Sequence, residues 1–412
     1  MGEQQVAVIN DDRNHTGDAT LLRKVNESAI LEQIHREGPV TRSHLARSLR
    51  LSLPTITRIA NELLSEGLII ESSTVGSSGG RRPGLLEYNF RSNLIIGVYV
   101  GHRMVAALAD LDGKIIERRS EPSRSGEAGL QQLIDLIRDL QRQAGVMGLS
   151  VRGVGVGAPS IVSFPEGVVA WAPGLGWRNL PVKRRLEETL GLEVFVENEV
   201  NLLALGESWR GAGRGIHRLV CVSVGTGIGA GLILDGQLYR GGRGAAGEIG
   251  YIVPNERYLG RQVNRFGTLE SLADRNALIT RGCERMQAGE SSVLNVACAS
   301  DPSRLTAEMV LDAARSGDPL ASSVLSEVID YLSIAIANLV CIVDPERIIL
   351  SGDLASYAEM FTQPIRERIA GLVPAMPEIV ASELGMDAAV LGAIAIAMRE
   401  TSGALAVQPL RA

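Results

Sequence analysis

The apolar positions of the first ninety residues predict three helices followed by a pair of strands. The segment LLRKVNESAILEQI has its apolar residues near the 3.6-residue helical period, which predicts an amphipathic helix over residues 18–37. Thr41 is a good N-cap for a second helix, and Ser52 begins a third helix that ends at Gly67. The stretch GLIIESSTVGSSGGRRPGLLEYN then predicts two strands around a tip rich in glycine and serine.

The second and third predicted helices form a helix-turn-helix candidate. The third helix begins SLPTITRIANELL, in which Ile56, Ile59 and Leu63 face the interior while small polar residues and an arginine face outward. Such outward residues suit the floor of a major groove, and a wing with an arginine tip suits phosphate or minor-groove contact. The predicted DNA-binding residues are Arg42, Ser52, Thr55, Thr57, Arg58, Arg81 and Arg82.

Local charge supports DNA binding although the whole chain is acidic. Six arginines stand against three acids between Pro39 and Gly84, inside a chain of 412 residues with a net charge of -6. The alternative is a three-helix protein-interaction module with a solvated arginine face. The predicted wing favours DNA over that alternative.

Beyond residue 90 the pattern changes to alternating strands and helices. LIIGVYV, MVAALADLDG and KIIERRSEP predict three consecutive strands, and buried strands then alternate with helices up to a long helix over residues 321–343. The order strand-strand-strand-helix-strand-helix-strand occurs twice. It predicts an α/β protein with the two-lobed actin-like (ribonuclease H-like) fold that sugar kinases use.

Composition is that of a globular protein, with 45% hydrophobic and 21% charged residues. No apolar run reaches the roughly 18 residues that span a bilayer, and the first residues have no signal-peptide pattern, so we expect a cytoplasmic protein. The four cysteines are widely spaced and form no CxxC pair. Reduced thiols are therefore expected, with a disulfide or a metal site as the alternatives.

The stretch VSVGTGIGAGLILDG at residues 222–236 places bare glycine backbone between two apolar runs. Backbone of this kind lets a phosphate group approach closely, which is typical of a nucleotide site. A strand follows these glycines where a dinucleotide-binding motif would have a helix N-terminus. The stretch is therefore not a dinucleotide fingerprint.

With these motifs the chain resembles the ROK (repressor, open reading frame, kinase) family of bacterial sugar repressors and sugar kinases. The resemblance extends from the LLRKVNESAIL helix and the GGRRP wing to DAAVLGAIAIAM, and its most specific segments are APGLGW, VENEVN, GTGIGAG, GAAGEIGY and GTLES. It implies a winged helix-turn-helix DNA-binding domain over residues 1–90 and a sugar-kinase-like ligand-binding and oligomerisation domain over residues 91–412. Repressors of the family carry the winged helix and its kinases lack it, so the resemblance implies a transcriptional regulator.

The resemblance also implies a sugar pocket between the two lobes, formed by Asn198, Glu199, Glu248, Tyr251 and Glu270. An amide beside a carboxylate at a strand end offers a sugar hydroxyl both donors and acceptors. Each position also has an alternative explanation. These are an ordinary polar turn at 198–199, a solvated acid at Glu248, a carboxylate favoured by a helix dipole at Glu270, and core packing at Tyr251.

Three departures from the family pattern argue against phosphoryl transfer. The first hairpin of the kinases carries an acid and a Gly-Thr pair for the phosphates and their metal, whereas GVYVGHRM has Tyr99 and a His-Arg pair there. Glu199 stands in place of the catalytic aspartate, and its extra methylene costs rate more than it costs binding. Tyr251 replaces a zinc-binding histidine, and the cysteines of the family's zinc loop are missing. We therefore expect no catalytic residue, no ATP and no zinc.

Together these features predict a repressor of sugar-utilisation genes. We expect a homodimer or tetramer on a palindromic operator, with recognition helices in successive major grooves about 34 Å apart, and a monosaccharide or derivative as effector. The alternative is an ATP-dependent sugar kinase that also binds DNA, which rests on the GTGIGAG loop and Glu199. A non-enzymatic scaffold that uses the wing for protein contacts is the remaining class.

Overall fold

The chain divides at Asn93 into two units in the computed structural model. The structure describes residues 15–72, 84–159, 161–261, 267–299 and 301–401. The smaller unit contains the described residues up to Asn93 together with Arg399–Thr401, and the larger unit contains the described residues from Leu94 to Met398.

The smaller unit is a three-helix winged helix, as the apolar pattern predicts. Its elements in chain order are α1 (His15–Glu37), β1 (Val40–Thr41), α2 (Arg42–Leu49), α3 (Leu53–Ser65), β2 (Ile69–Ser72) and β3 (Leu85–Tyr88). The strands form one antiparallel sheet in the order β1-β3-β2. Ile56, Ile59 and Leu63 are buried as predicted, because they lie on the side of α3 that faces the interior.

The first lobe of the larger unit is built on a five-stranded sheet in the order β11-β7-β4-β5-β6. The strands β4 and β7 are parallel and β5 and β6 form an antiparallel extension, so the three consecutive strands predicted after residue 90 are confirmed. A small second sheet of β8, β9 and β10 was not predicted. The elements are β4 (Leu94–Val100), β5 (Arg103–Asp110), β6 (Ile115–Pro122), α4 (Gly126–Val146), β7 (Val151–Ala158), β8 (Val162–Ser163), β9 (Val168–Ala172), β10 (Trp177–Pro181), α5 (Val182–Leu190) and β11 (Glu193–Asn198).

The second lobe repeats this plan with a sheet in the order β14-β13-β12-β15-β16. An antiparallel hairpin is again followed by parallel strands, so the predicted internal repeat and the actin-like fold are confirmed. The elements are α6 (Glu199–Arg210), β12 (Leu219–Val224), β13 (Ile228–Leu234), β14 (Gln237–Leu238), α7 (Thr268–Ala273), α8 (Arg275–Gln287), α9 (Val293–Ala297), α10 (Ala307–Arg315), α11 (Pro319–Val343), β15 (Arg347–Ser351), α12 (Glu359–Ile369), β16 (Glu378–Ala381) and α13 (Asp387–Glu400).

Helix α11 differs from the expectation that no apolar segment of the chain is long enough to span a bilayer. Its length of 25 residues and its mean hydropathy of 1.7 over the most apolar window are sufficient, by length and composition alone, for a membrane span. Leu325, Leu332 and Leu339 nevertheless pack into the core of the second lobe. The helix is apolar because it is the central core helix of this lobe.

Glycines allow α13 to approach the rest of the larger unit at backbone distance. A Cβ atom on Gly155 of β7 would overlap the carbonyl oxygen of Ala393, and one on Gly206 of α6 would overlap that of Ala388. Gly392 of α13 lies in the same way against the backbone of α6. The first-lobe sheet, α6 and α13 are therefore locked together by contacts that only glycine permits.

Candidate ligand cleft and DNA-binding surface

A cleft of about 920 Å³ opens at the strand ends of the larger unit. Residues that follow β7, β11, β12 and β15 line it, at the edge where α/β sheets place their ligands. Its volume lies at the upper end of the range of small-molecule pockets. The structure brings all five residues of the expected sugar pocket to this cleft, namely Asn198, Glu199, Glu248, Tyr251 and Glu270.

Asn198 ends β11 and caps helix α6. Its amide oxygen accepts hydrogen bonds from the backbone N–H groups of Val200 at 2.8 Å and Asn201 at 3.2 Å. The strand therefore ends and the helix begins at one residue, which fixes the position of the next side chain, Glu199, in the first turn. The amide oxygen of Asn198 is used by the helix, and Glu199 is the carboxyl group that this strand end presents to the cleft.

Among the expected sugar-binding residues, Glu199 and Glu270 have the carboxyl groups whose pKa is raised most. Burial raises the pKa of Glu199 to about 7, a hydrogen bond from the Tyr99 hydroxyl opposes that shift, and the nearby charge of Asp353 adds to it. The same surroundings raise the pKa of Tyr99, chiefly by burial, so that its hydroxyl stays a donor. Tyr99 of the first hairpin thus hydrogen-bonds the carboxyl group that α6 presents to the cleft.

The raised pKa of Glu199 has a measurable consequence for stability. Between its ordinary value of 4.5 and about 7 the folded state binds more protons than the unfolded state, so the free energy of unfolding falls as pH rises through this window. Glu199→Gln cannot ionise at this position. When the pH is raised from 5 to 8, we therefore expect its free energy of unfolding to increase by roughly 2–3 kcal/mol relative to that of wild type. Urea denaturation at both pH values measures this difference.

An exposed acid provides the control for that measurement. Glu188 lies on the surface of α5. The free energy of unfolding of Glu188→Gln should differ from that of wild type by the same amount at both pH values. An equal difference for Glu199→Gln at pH 5 and pH 8 would show that the cleft does not hold this carboxyl in its protonated form.

Glu248, Tyr251 and Glu270 form a second polar group that lines the cleft. Glu248 is partly buried and precedes a short 3₁₀ turn over Ile249–Tyr251, and burial raises its pKa. Tyr251 is 56% exposed, so the alternative of simple core packing does not hold for its side chain. The three residues lie within electrostatic range of one another.

Glu270 also closes the glycine hairpin between β12 and β13. Its carboxylate accepts the backbone N–H of Ile228 at 2.9 Å, from the first turn of α7. Burial raises its pKa to about 7, while the Ile228 N–H opposes the shift and the charges of Asp274 and Glu248 add to it. One oxygen of Glu270 therefore has a structural partner in addition to facing the cleft.

Sequence reasoning missed further residues that line the cleft, among them Trp171, Asp274, Arg281 and Asp353. Asp274 caps α8, and its carboxylate accepts the N–H of Ala277 at 2.7 Å. Asp353 lies two residues beyond the end of β15, close to the edge of the second-lobe sheet that corresponds to the position of Asn198 at the end of β11. A search for polar residues after every predicted parallel strand would have found Asp353, whereas nothing in the local pattern marks the other three.

The helix-turn-helix of the smaller unit is fixed by two predicted caps. The Thr41 hydroxyl accepts the N–H of His44 at 3.2 Å, and the Ser52 hydroxyl accepts the N–H of Thr55 at 3.2 Å. These bonds set where α2 and α3 begin. They leave the start of α3 at the surface, with Ser52 and Pro54 exposed.

The structure places the described DNA-binding candidates in α2 and in α3 with its cap. Arg58 is exposed on α3 and pairs with Glu62 at 3.1 Å, one turn along the same helix. Arg42 pairs with Glu71 of β2 at 2.7 Å, so it also ties the helix to the sheet. The Thr57 hydroxyl donates to the carbonyl of its own helix at Leu53. Arg81 and Arg82 lie outside the described residues.

Leu53 is a residue of this surface that the sequence argument did not select. It stands in the first turn of α3 and is 50% exposed. An apolar side chain at the start of a recognition helix has the chemistry to meet a thymine methyl group.

Comparison with known protein families covers both units. A model described as the ROK family matches residues 95–400, and a model described as the MarR family matches residues 25–74. The chain is 31% identical over 358 residues to a xylose repressor of Caldicellulosiruptor bescii, a match that covers 86% of this chain and 89% of that protein.

Solved structures match the same two parts. A ROK family transcriptional regulator, a homologue of the E. coli MLC protein, superposes with a TM-score of 0.79 at 26% identity and covers 94% of this chain and 96% of its own. A ROK family glucokinase from Streptomyces griseus, solved with glucose and AMPPNP, gives a TM-score of 0.63 at 30% identity. That match covers 99% of the glucokinase but 74% of this chain.

Proposed function

Because the chain belongs to the ROK family, we propose that it is a DNA-binding transcriptional repressor whose operator binding is controlled by a monosaccharide in the cleft. The observation that carries this proposal is the similarity to a named xylose repressor over 86% of the chain, together with the winged helix before the cleft-bearing unit. Xylose or a related monosaccharide is the first candidate for the effector. The protein acts in the cytoplasm, where operator DNA is found.

The sugar contacts follow from the two polar groups of the cleft. Glu199 on α6, Glu248 and Glu270 offer carboxyl oxygens as acceptors to sugar hydroxyls, while Tyr251 offers a donor. A sugar that binds one arrangement of the two lobes more tightly than another shifts the protein toward that arrangement. It changes operator affinity only to the extent that it binds the two states of the protein with different affinity.

Phosphoryl transfer does not fit the residues present. Bound ATP and its metal would supply the transferable phosphoryl group in a kinase of this fold. Here the Tyr99 hydroxyl and ring would clash with a Cβ atom on Gly101, so the side chain of Tyr99 packs against the turn of the first hairpin. We therefore propose a binding protein without kinase activity, in which Glu199 accepts a hydrogen bond and does not act as a catalytic base.

A resident zinc does not fit the described residues either. Tyr251 supplies a phenol where the family pattern has a metal-binding imidazole, and no cluster of three or more His, Cys, Asp or Glu side chains suitable for a metal occurs in the described ranges. All four cysteines lie within those ranges as free thiols. We propose that the larger unit folds without zinc.

On DNA, the protein is proposed to act as a homodimer or tetramer at a palindromic operator. Two copies of α3 would then enter successive major grooves about 34 Å apart. Arg42, Arg58 and the wing arginines supply phosphate and base contacts, and the affinity should fall steeply as salt is raised.

We expect Arg58→Ala to weaken operator binding roughly 5- to 100-fold, since an arginine on a recognition helix contributes about 1–3 kcal/mol. Gel shift at constant ionic strength measures the effect. Arg142 on α4 is 76% exposed and also pairs within its own helix, so Arg142→Ala is the matched control and should bind like wild type. Equal affinities for both variants would remove α3 from the DNA interface.

A thermal-shift panel of monosaccharides, each with and without MgATP, tests the proposed function directly. A sugar at 100 times its dissociation constant stabilises the protein by about 2.7 kcal/mol. We expect one sugar to raise Tm, MgATP to add nothing, and no sugar-dependent ADP to form in a coupled assay. Sugar-dependent ADP production would establish the kinase alternative.

A further inference from the structure

The glycine hairpin between β12 and β13 binds carboxylates of its own chain. The N–H of Thr226 donates to the Asp353 carboxylate at 3.3 Å, and the N–H of Ile228 donates to Glu270 at 2.9 Å. A Cβ atom on Gly225 would stand 2.6 Å from an oxygen of Asp353. The bare backbone thus admits an anion at close range, and the anion is a resident side chain.

The fold fixes Asp353 in this position. It follows β15 at Gly352, which has a φ of +95° and whose Cβ atom would meet the Ser223 hydroxyl and the backbone of Val224. The next residue, Leu354, donates its N–H to the Val224 carbonyl at 3.2 Å. The turn after β15 is therefore fastened to the hairpin, with the carboxylate exposed on the cleft side where an incoming ligand meets it.

The electrostatic surroundings reinforce this arrangement. The only guanidinium among the described cleft-lining side chains is that of Arg281, which already pairs with Glu327 at 3.3 Å. Carboxylates of the cleft outnumber it, and they repel a polyphosphate. The acids that line the cleft are Glu199, Glu248, Glu270, Asp274, Glu284 and Asp353.

We propose that the Asp353 carboxylate is a built-in substitute for a phosphate group, which occupies the hairpin at Gly225 and Thr226 and keeps nucleotides out of the cleft. The inference rests on the proposed function, because it explains how a kinase-like cleft admits a neutral sugar while rejecting ATP. The second hairpin is closed by Asp353 as the first is by Tyr99. The loop retains its anion-binding shape, so removing the carboxylate opens it.

Calorimetric titration of the full-length protein with MgADP tests the inference, with wild type, Asp353→Gly and Asp353→Asn compared. We expect Asp353→Gly to bind MgADP at least tenfold more tightly than wild type. Asp353→Asn keeps the size of the side chain and loses its charge, so an intermediate affinity is expected if charge and occupancy both contribute. Equal MgADP affinities in wild type and both variants, whether strong or undetectable, would overturn the inference.

The same samples separate this inference from the proposed function. Operator binding should persist in both Asp353 variants, because the winged helix lies in the other unit, and it also shows that they are folded. If wild-type protein responds to sugar and binds MgADP with the same affinity as Asp353→Gly, the proposed role of Asp353 is contradicted. The proposed function as a sugar-controlled repressor is then unaffected. Wild-type protein that binds neither DNA nor any sugar would contradict the proposed function instead.

Discussion

Glu248→Ala is expected to raise the sugar concentration needed for a half-maximal response roughly 10- to 100-fold while leaving operator affinity unchanged. Glu248 is partly buried at the cleft and burial raises its pKa, so its carboxyl group gains from a hydrogen-bonding ligand. A hydrogen bond to such a group contributes about 1.5–3 kcal/mol. Fluorescence anisotropy of labelled operator DNA, titrated with sugar, measures the shift.

The control for this prediction is Glu188→Ala, which removes an exposed acid from α5 and should respond like wild type. If Glu248→Ala responds at the wild-type sugar concentration, Glu248 does not contact the effector. Loss of DNA binding in Glu248→Ala before sugar is added would indicate a structural role for this residue in place of a ligand contact.

Gly155→Ala is expected to destabilise the larger unit by about 3 kcal/mol or more. The added methyl group would fall on the carbonyl oxygen of Ala393 in α13, so two backbone segments must separate. Gly145 on α4 offers a matched control, because a Cβ atom there meets nothing within 4 Å. Gly145→Ala should be neutral or stabilising by up to about 1 kcal/mol.

Thermal and urea unfolding of both glycine variants measures the difference. A Gly155→Ala protein as stable as Gly145→Ala would mean that α13 does not pack on β7 at backbone distance. The sheet of the first lobe and α13 would then not be locked in the way that the structure indicates.

Local signals in the sequence were sufficient for the winged helix. Thr41 and Ser52 cap their helices through hydrogen bonds to residues three positions away, and a cap of this kind can be recognised from neighbouring residues alone. The same holds for the buried face of α3, which follows the helical period. Tertiary partners could not be predicted, as the pairing of Arg42 with Glu71 depends on the sheet that brings them together.

Cleft residues could be predicted from the sequence where they lie at the end of a strand. They could not be predicted where the cleft is formed by segments that are far apart in the chain. Asn198 ends β11 and Glu199 follows it directly, and the motif resemblance supplied Glu248 and Glu270. The contact of Asp353 with the glycine hairpin joins residues 127 positions apart, and it exists because β15 pairs beside β12. The glycine stretch alone is typical of a phosphate site, and only the neighbouring strand reveals that a carboxylate already fills it.

In the proposed function, sugar binding in the cleft controls DNA binding by the winged helix. Fluorescence anisotropy of the full-length protein on DNA from its own promoter region, with and without D-xylose and other monosaccharides, tests that claim most directly. We expect at least a tenfold change in operator Kd with one sugar, and an equal change in sugar affinity when operator DNA is present. Operator binding that no monosaccharide alters, or an absence of specific DNA binding, would contradict the account.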